Sequence, residues 1–235
     1  MAEWAPKRFW KAASVVTVDD GFAVHLDERP LRTPAKAALI LPTEAMARAI
    51  AAEWDAQTGK VDPGTMPCTR AANSALDKLV PQKDAVVALL ADYGGSDLLC
   101  YRAEAPPELA ARQAAGWDPL LDWAATTLQA PLRATAGVMH IAQDPASLDR
   151  LTAATAGLDP FRLAAFHDLV AISGSLVLAL AVLHGRLSAE EAFDLSRIDE
   201  HWQIEQWGAD EEAAETEAAK RAAFAQAHRF LELCR

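Results

Sequence analysis

VVTVDDGFAVHL, residues 15–26, decides how the fold is read. Residues 15–18 and 22–26 are two short β-rich runs flanking Asp19-Asp20-Gly21, and Asp-Gly offers the positive φ that hairpin turns need. Another turn follows at Asp27-Glu28-Arg29-Pro30, Pro34 stops the short run 31–33, and residues 39–41 form an apolar strand ending at Pro42. The first forty residues therefore read as a hairpin-built sheet.

Helices take over downstream. Thr43 can cap a helix running to Gln57, with Glu44 in the first turn, where the helix dipole favours an anion. Met46, Ile50 and Trp54 repeat every four residues and give it an apolar stripe. Gly59 marks its stop. Further helices are expected over 67–79 and 83–93, then a strand at 98–101 returning to the first sheet. Pro106-Pro107 opens a helix to about 115, Asp118-Pro119 starts the next, Pro131 ends it, and 134–141 is a last strand. From Pro145 onward the pattern is purely helical: 145–156, 160–183, 188–207 and 210–233. Ser188-Ala-Glu-Glu191 is a capping box, which satisfies two backbone donors reciprocally. The fold class is thus α+β: an N-terminal mixed domain with an antiparallel hairpin sheet, then an all-helical C-terminal domain. The division is placed at 1–130 and 131–235, with the boundary anywhere between 105 and 143.

Composition bounds the function. The chain has 235 residues, 22 Lys+Arg against 33 Asp+Glu, and a formal net charge of −11. Phosphate binding needs a basic face, so a nucleic-acid partner is disfavoured, as is an anionic membrane surface. The 51% hydrophobic content excludes disorder over most of the chain. Cys68, Cys100 and Cys234 are an odd number, far apart and without a CxxC pair, which suits a reduced cytoplasmic protein. The first sixteen residues lack the apolar segment of a signal peptide. The charge-free run 169–183, interrupted by Ser173-Gly174-Ser175, would span roughly 22 Å as a helix, short of the ~30 Å hydrocarbon core. It reads as a buried core helix.

Catalytic signatures are missing. The sequence holds no P-loop, no GxGxxG and no GxSxG. Ser175 reads as a small packing residue rather than a nucleophile. The six histidines never form HExxH; His201 and Glu205, four apart beside Asp199 and Glu200, are the nearest approach to a metal pair. The plainer account is a solvated helix face with an i,i+4 pair. Trp202 and Trp207, five apart and about 140° around a helix, place one ring toward the core and the other toward the surface. Between 199 and 221 stand eight acids against Lys220 and Arg221, six of the eleven net negative charges. That stretch is either a solvated face or an acidic, Trp-bearing docking surface.

Several strings then come together: RFWK at 8–11, LDERPLRTP at 26–34, EWDAQ at 53–57, DPGTMPCT at 62–69, DLLCYR at 97–102, WDPLLDW at 117–123 and SRIDEHWQIEQWG at 196–208. In this order they resemble the ATP12 family of F1-ATPase assembly chaperones, over about residues 8–233. The resemblance implies a mixed N-terminal domain with a helical C-terminal one, and a non-enzymatic role without cofactor or metal. It implies transient binding of the unassembled F1 α subunit, protecting it from aggregation before the α/β ring forms. Eukaryotic members carry a mitochondrial presequence; this chain starts almost at RFWK and looks like a bacterial, cytoplasmic member, read as a monomer with no membrane insertion. The partner-binding residues expected are Glu200 at the centre, with Asp199, Trp202, Glu205, Gln206 and Trp207 around it. The family has acids at the places of Asp199 and Glu200 and varies at those of His201 and Trp202. Trp54, Asp55 and Arg102 are read as structural links. The competing reading is a small acid/base or metal-assisted hydrolase using Asp199, Glu200, His201 and Glu205; a blander one is a general interaction module.

Overall fold

A computed structural model describes residues 7–235. The signal-peptide reading rests partly on the first six residues, which lie outside the described ones. The class is α+β. Strands β1 (Ala13–Val18) and β2 (Gly21–Leu26) form the expected antiparallel hairpin, in register from Ala13 opposite Leu26 to Val18 opposite Gly21. Gly21 is required at its place: its φ is +142°, and a Cβ there would meet the Leu41 carbonyl oxygen at 2.4 Å. Two short strands, β3 (Arg29–Pro30) and β4 (Ile40–Leu41), pair antiparallel with β2 at its two ends.

Helix α1 (Glu44–Asp55) is capped by Thr43, whose hydroxyl accepts from the Met46 amide. It lays Met46, Ile50 and Ala51 on the sheet, where they are buried with Val24, Leu26, Leu39 and Leu41. Helix α2 (Pro67–Ser74) has no cap of its own at Met66. Glu53 from α1 supplies it instead, accepting from the Cys68 and Thr69 amides at 2.7 and 2.8 Å and from the Thr69 hydroxyl at 2.7 Å. A carboxylate at a helix N-terminus meets both its free N–H groups and its dipole. A single wide π turn, Ala75–Leu79, follows, and α3 (Val80–Gly95) kinks at Gln82.

Several sequence expectations are corrected downstream of α3, among them the strand expected over 134–141, of which only residues 135–136 are extended. Residues 98–101 are not a strand: the Asp97 carboxylate accepts from the Leu99 amide and tightens Leu98–Cys100 into a 3-10 turn. Only β5 (Tyr101–Arg102) is extended, and it pairs in parallel with β6 (Thr135–Ala136) rather than with the first sheet. Residues 107–127 form one helix, α4 (Pro107–Thr127), with Pro119 inside it. Proline in a helix interior costs about 3 kcal/mol. Here Trp117, Leu120, Leu121 and Ala124 are all buried around it, and their burial outweighs that cost. After α5 (Pro145–Ala156), the expected helix 160–183 is two, α6 (Pro160–Ser173) and α7 (Leu176–Leu183). Gly174, at φ +72°, ends the first, and Ser175 caps the second through the Leu178 amide. Ser175 is therefore a cap and not merely a filler. The expected helix 188–207 is likewise split into α8 (Ala189–Leu195) and α9 (Ile198–Trp207), because the Ser196 hydroxyl turns back onto the Phe193 carbonyl at 2.6 Å. The capping box at Ser188 and Glu191 is present with both of its bonds. Helix α10 (Glu211–Leu233) closes the chain.

Contacts divide the chain into two compact units, whereas the 130/131 line rests on the order of the expected strands and helices. The first unit comprises the described residues up to Lys83 with Asp159–Ala165 and Arg229–Arg235; the second comprises Asp84–Leu158 and Phe166–His228. No helix among the described residues is long and apolar enough to cross a membrane. All three cysteines are free, and burial pushes each thiol up to about 12, so none is a ready thiolate.

Helix α7 forms the centre of the second unit, with residues 176 to 182 wholly buried. Its first amides have no water to bind. Asp97, fully buried, answers them: one carboxylate oxygen accepts from the Ser175 hydroxyl at 2.7 Å and the other from the Val177 amide at 3.0 Å. Burial pushes this carboxyl above its ordinary value, against the pull of those donors. Replacing Asp97 by Ala strands buried donors, which is expected to cost about 3 kcal/mol or more, read as a lowered midpoint in thermal or denaturant unfolding. Asp97→Asn keeps one acceptor and should lose less; equal stability of the alanine variant and the wild type would refute the capping role.

Candidate functional site

The acidic Trp-bearing stretch lies on α9 and is fixed by α4. Gly116 of α4 leaves room for α8 and α9: a Cβ there would stand 2.9 Å from the tips of both Leu195 and Ile198. Trp117, buried, donates from its indole N–H to the Leu195 carbonyl at 2.8 Å. Gln113, only 1% exposed, uses both ends of its amide: its oxygen accepts from the Ala103 amide at 2.7 Å and its nitrogen donates to Asp199 at 2.6 Å. Asp199 is thereby committed to holding α9 on α4.

Each remaining residue of the predicted set has a distinct setting. Glu200 pairs with Arg197 one turn back at 2.7 Å. Arg112 of α4 forks onto Glu205 at 2.7 and 2.8 Å and lies over the Trp202 ring at 5.0 Å. Trp202 is thus half-buried under a guanidinium, and does not belong to the core. The Arg112 bond holds the Glu205 carboxyl below the usual glutamate range. Gln206 is exposed, and Trp207, 79% exposed, is the open ring of the pair. His201 turns the other way and bonds Glu217 of α10 at 3.0 Å. Glu217 also meets Arg221, which pairs with Asp194 at 2.7 Å and covers the Phe193 ring.

The hydrolase alternative finds no support in this geometry. Asp199, Glu200, His201 and Glu205 answer to Gln113, Arg197, Glu217 and Arg112 respectively, and converge on no common point. Among the described residues no three His, Cys, Asp or Glu side chains stand together as metal ligands would. Sequence reasoning missed Arg112, Gln113 and Arg197. The first two lie 93 and 86 residues from their partners, beyond any local spacing.

Charge is sharply partitioned. The second unit carries 21 Asp+Glu against 8 Lys+Arg, whereas the described part of the first carries 11 against 14. The residues read as structural links are so: Asp55 accepts from the Ala13 amide, Trp54 meets Trp10 edge-on at 5.1 Å, and Arg102 pairs with Asp118 over the Trp117 ring.

A surface of paired charges with one open indole, carried on packed helices, suits the recognition of another protein; comparison with known proteins gives the family. A family model described as ATP12 chaperone protein matches residues 7–125. The mitochondrial protein atp12 of Schizosaccharomyces pombe is 26% identical over 219 residues, covering 88% of this chain and 75% of that protein. The crystal structure of ATP12 from Paracoccus denitrificans superposes with a TM-score of 0.96 at 56% identity, over 99% of this chain and 100% of that one. A putative chaperone from Agrobacterium tumefaciens gives 0.93 at 42% identity, over 98% of this chain and 87% of that one. The chain belongs to the ATP12 chaperone family.

Glu217 supplies a pH signature of the α9–α10 contact. The His201 bond first, then Arg221, holds its carboxyl below the ordinary value of 4.5. The contribution is present above that ordinary value and is lost as pH falls through the lowered one. Glu217→Gln is therefore expected to flatten the acid limb of a melting-temperature profile below about pH 5. A limb as steep as the wild type's would assign the acid sensitivity elsewhere.

Proposed function

We propose that this chain is an assembly chaperone for F1-ATPase, acting in the cytoplasm as a monomer, without cofactor or turnover. It binds the unassembled α subunit, keeps it from aggregating before it joins β, and then leaves. Membership of the ATP12 family carries this reading, and the α9 surface gives it a physical form. Glu200, Trp202, Glu205, Gln206 and Trp207 would meet the client, with Trp207 as the anchor ring. Asp199, bonded to the buried Gln113, positions the helix.

Such a surface suits transient capture. Exposed charges on such a surface add little net affinity and mainly select a partner of complementary charge. A single aromatic anchor supplies the larger share. The acidic balance of the second unit calls for a basic client surface.

F1 α expressed alone should be largely insoluble, and soluble when this chain is co-expressed; equal insolubility in both cases would sink the proposal. Trp207→Ala should weaken capture about tenfold, while leaving the melting temperature unchanged, since the ring is exposed. Glu200→Lys sets a lysine against Arg197 and should cost no more than about 1 kcal/mol of stability, yet reduce capture strongly. A structure of an Asp-to-Lys variant of the Paracoccus protein gives the same TM-score, 0.96, so a charge reversal of that kind leaves that relative's fold intact.

A further inference from the structure

Residues 133–143 form a loop whose base is locked and whose tip is bare. Gln143, buried, closes the base with both ends of its amide: its oxygen accepts from the Arg133 amide at 2.8 Å and its nitrogen donates to the Arg133 carbonyl at 3.0 Å. The Ser147 hydroxyl fastens the approach by donating to the Pro131 carbonyl at 2.8 Å. One arm is pinned where β6 pairs with β5 and the Gly137 amide donates to the Arg102 carbonyl at 2.8 Å. The other is pinned where His140 bonds the Tyr101 hydroxyl at 3.0 Å. Gly137 turns the chain at φ +81°, a conformation that glycine adopts at no steric cost. Between these ties stand Val138 and Met139, 95% and 77% exposed.

Scattered apolar residues on a surface need no explanation, but these two are adjacent, protrude together and sit on a loop fixed on both sides. A preordered tip loses little conformational freedom on binding, so most of the apolar burial at its tip counts toward affinity. Its shape is a knob, so the partner must supply the cavity.

Charge selects the partner. Glu104 lies against Gly137, close enough that a Cβ there would meet its carboxylate at 2.7 Å, and the whole unit has 21 acids to 8 bases. A second copy of this chain, meeting the tip through its own second unit, would bring the same excess of acid, and an anionic membrane would repel it likewise.

We propose that the Val138–Met139 tip is a second client anchor, inserted into an apolar pocket of the client that is rimmed by basic side chains. This rests on the chaperone reading above and adds to it a contact outside α9.

The test is capture of F1 α by the full chain, measured as a dissociation constant, for the wild type and for Val138→Ser combined with Met139→Ser. Both side chains are solvated, so the melting temperature should not change, while capture should weaken about tenfold or more. Arg102 and Gln143 are left untouched, so the loop stays closed. A photo-crosslinking residue at position 139 should label α within the complex. Undiminished capture by the serine variant, or absence of that crosslink, overturns the proposal while leaving the chaperone function standing. Failure of the wild type itself to bind α overturns both. Concentration-dependent dimerisation of the wild type that the serine variant abolishes would assign the tip to a second copy and also overturn it.

Discussion

A buried carboxylate at the start of a wholly buried helix organises the second unit. Helix α7 has no polar side chain facing out, so its first amides must be satisfied inside the protein or not at all. Asp97 and Ser175 do so together, the hydroxyl both accepting from Leu178 and donating to Asp97. Asp97 also shapes the turn that precedes β5, through the Leu99 amide. One side chain thus sets the chain's path into β5 and the start of the central helix. Helices α4 and α8 pack on α7, and α9 packs on α4. The candidate surface on α9 is therefore two packing steps removed from a single buried carboxyl group.

The second constraint is electrostatic. An excess of thirteen negative charges in one unit, 21 acids against 8 bases, repels itself. Much of the repulsion is relieved by local pairs: Arg112 with Glu205, Arg197 with Glu200, Arg221 with Asp194 and Glu217. Apart from the buried Asp97, most of what these bases do not neutralise faces solvent, most densely from Asp210 to Glu215 at the start of α10. A compact acidic unit of this kind is poised to meet a basic surface and to refuse another copy of itself.

Local chemistry was legible in the sequence wherever it was enough to decide the structure. The Asp-Gly hairpin, the Thr43 cap and the Ser188–Glu191 box all depend on residues within four positions of one another. What escaped was decided at a distance. Residues 98–101 have strand composition, yet a carboxylate one position earlier is drawn into the core and winds them into a turn. Asp118-Pro119 has the pattern of a helix start, yet burial of Trp117 and Leu120 carries the helix through it. Gly174 was visible as an interruption, but its positive φ, and hence the break into α6 and α7, follows from the need to present Ser175 to Asp97. At the site, the acids and tryptophans of α9 were found from their spacing. Their roles were not, because Arg112 and Gln113 reach them from another helix.

Most of the strings that pointed to the family carry residues that hold the scaffold together; SRIDEHWQIEQWG also carries the α9 residues proposed to meet the client. In RFWK, Arg8 donates to the Asp55 and Gln57 carbonyls and lies near the Trp10 ring. In EWDAQ, Glu53 caps α2, Asp55 holds β1, and Gln57 binds the Asp62 amide and the Thr65 hydroxyl. In DLLCYR, Asp97 and Arg102 are internal ties, and in WDPLLDW, Trp117 holds α8. Each of these residues makes hydrogen bonds within the fold that few other side chains could reproduce. A client surface obeys weaker rules: an exposed Trp207, or a Val138-Met139 tip, satisfies no internal partner, and nothing in the fold demands its identity. The family is thus read mostly, though not wholly, from the scaffold. The function has to be sought where the scaffold holds side chains out that it does not itself need.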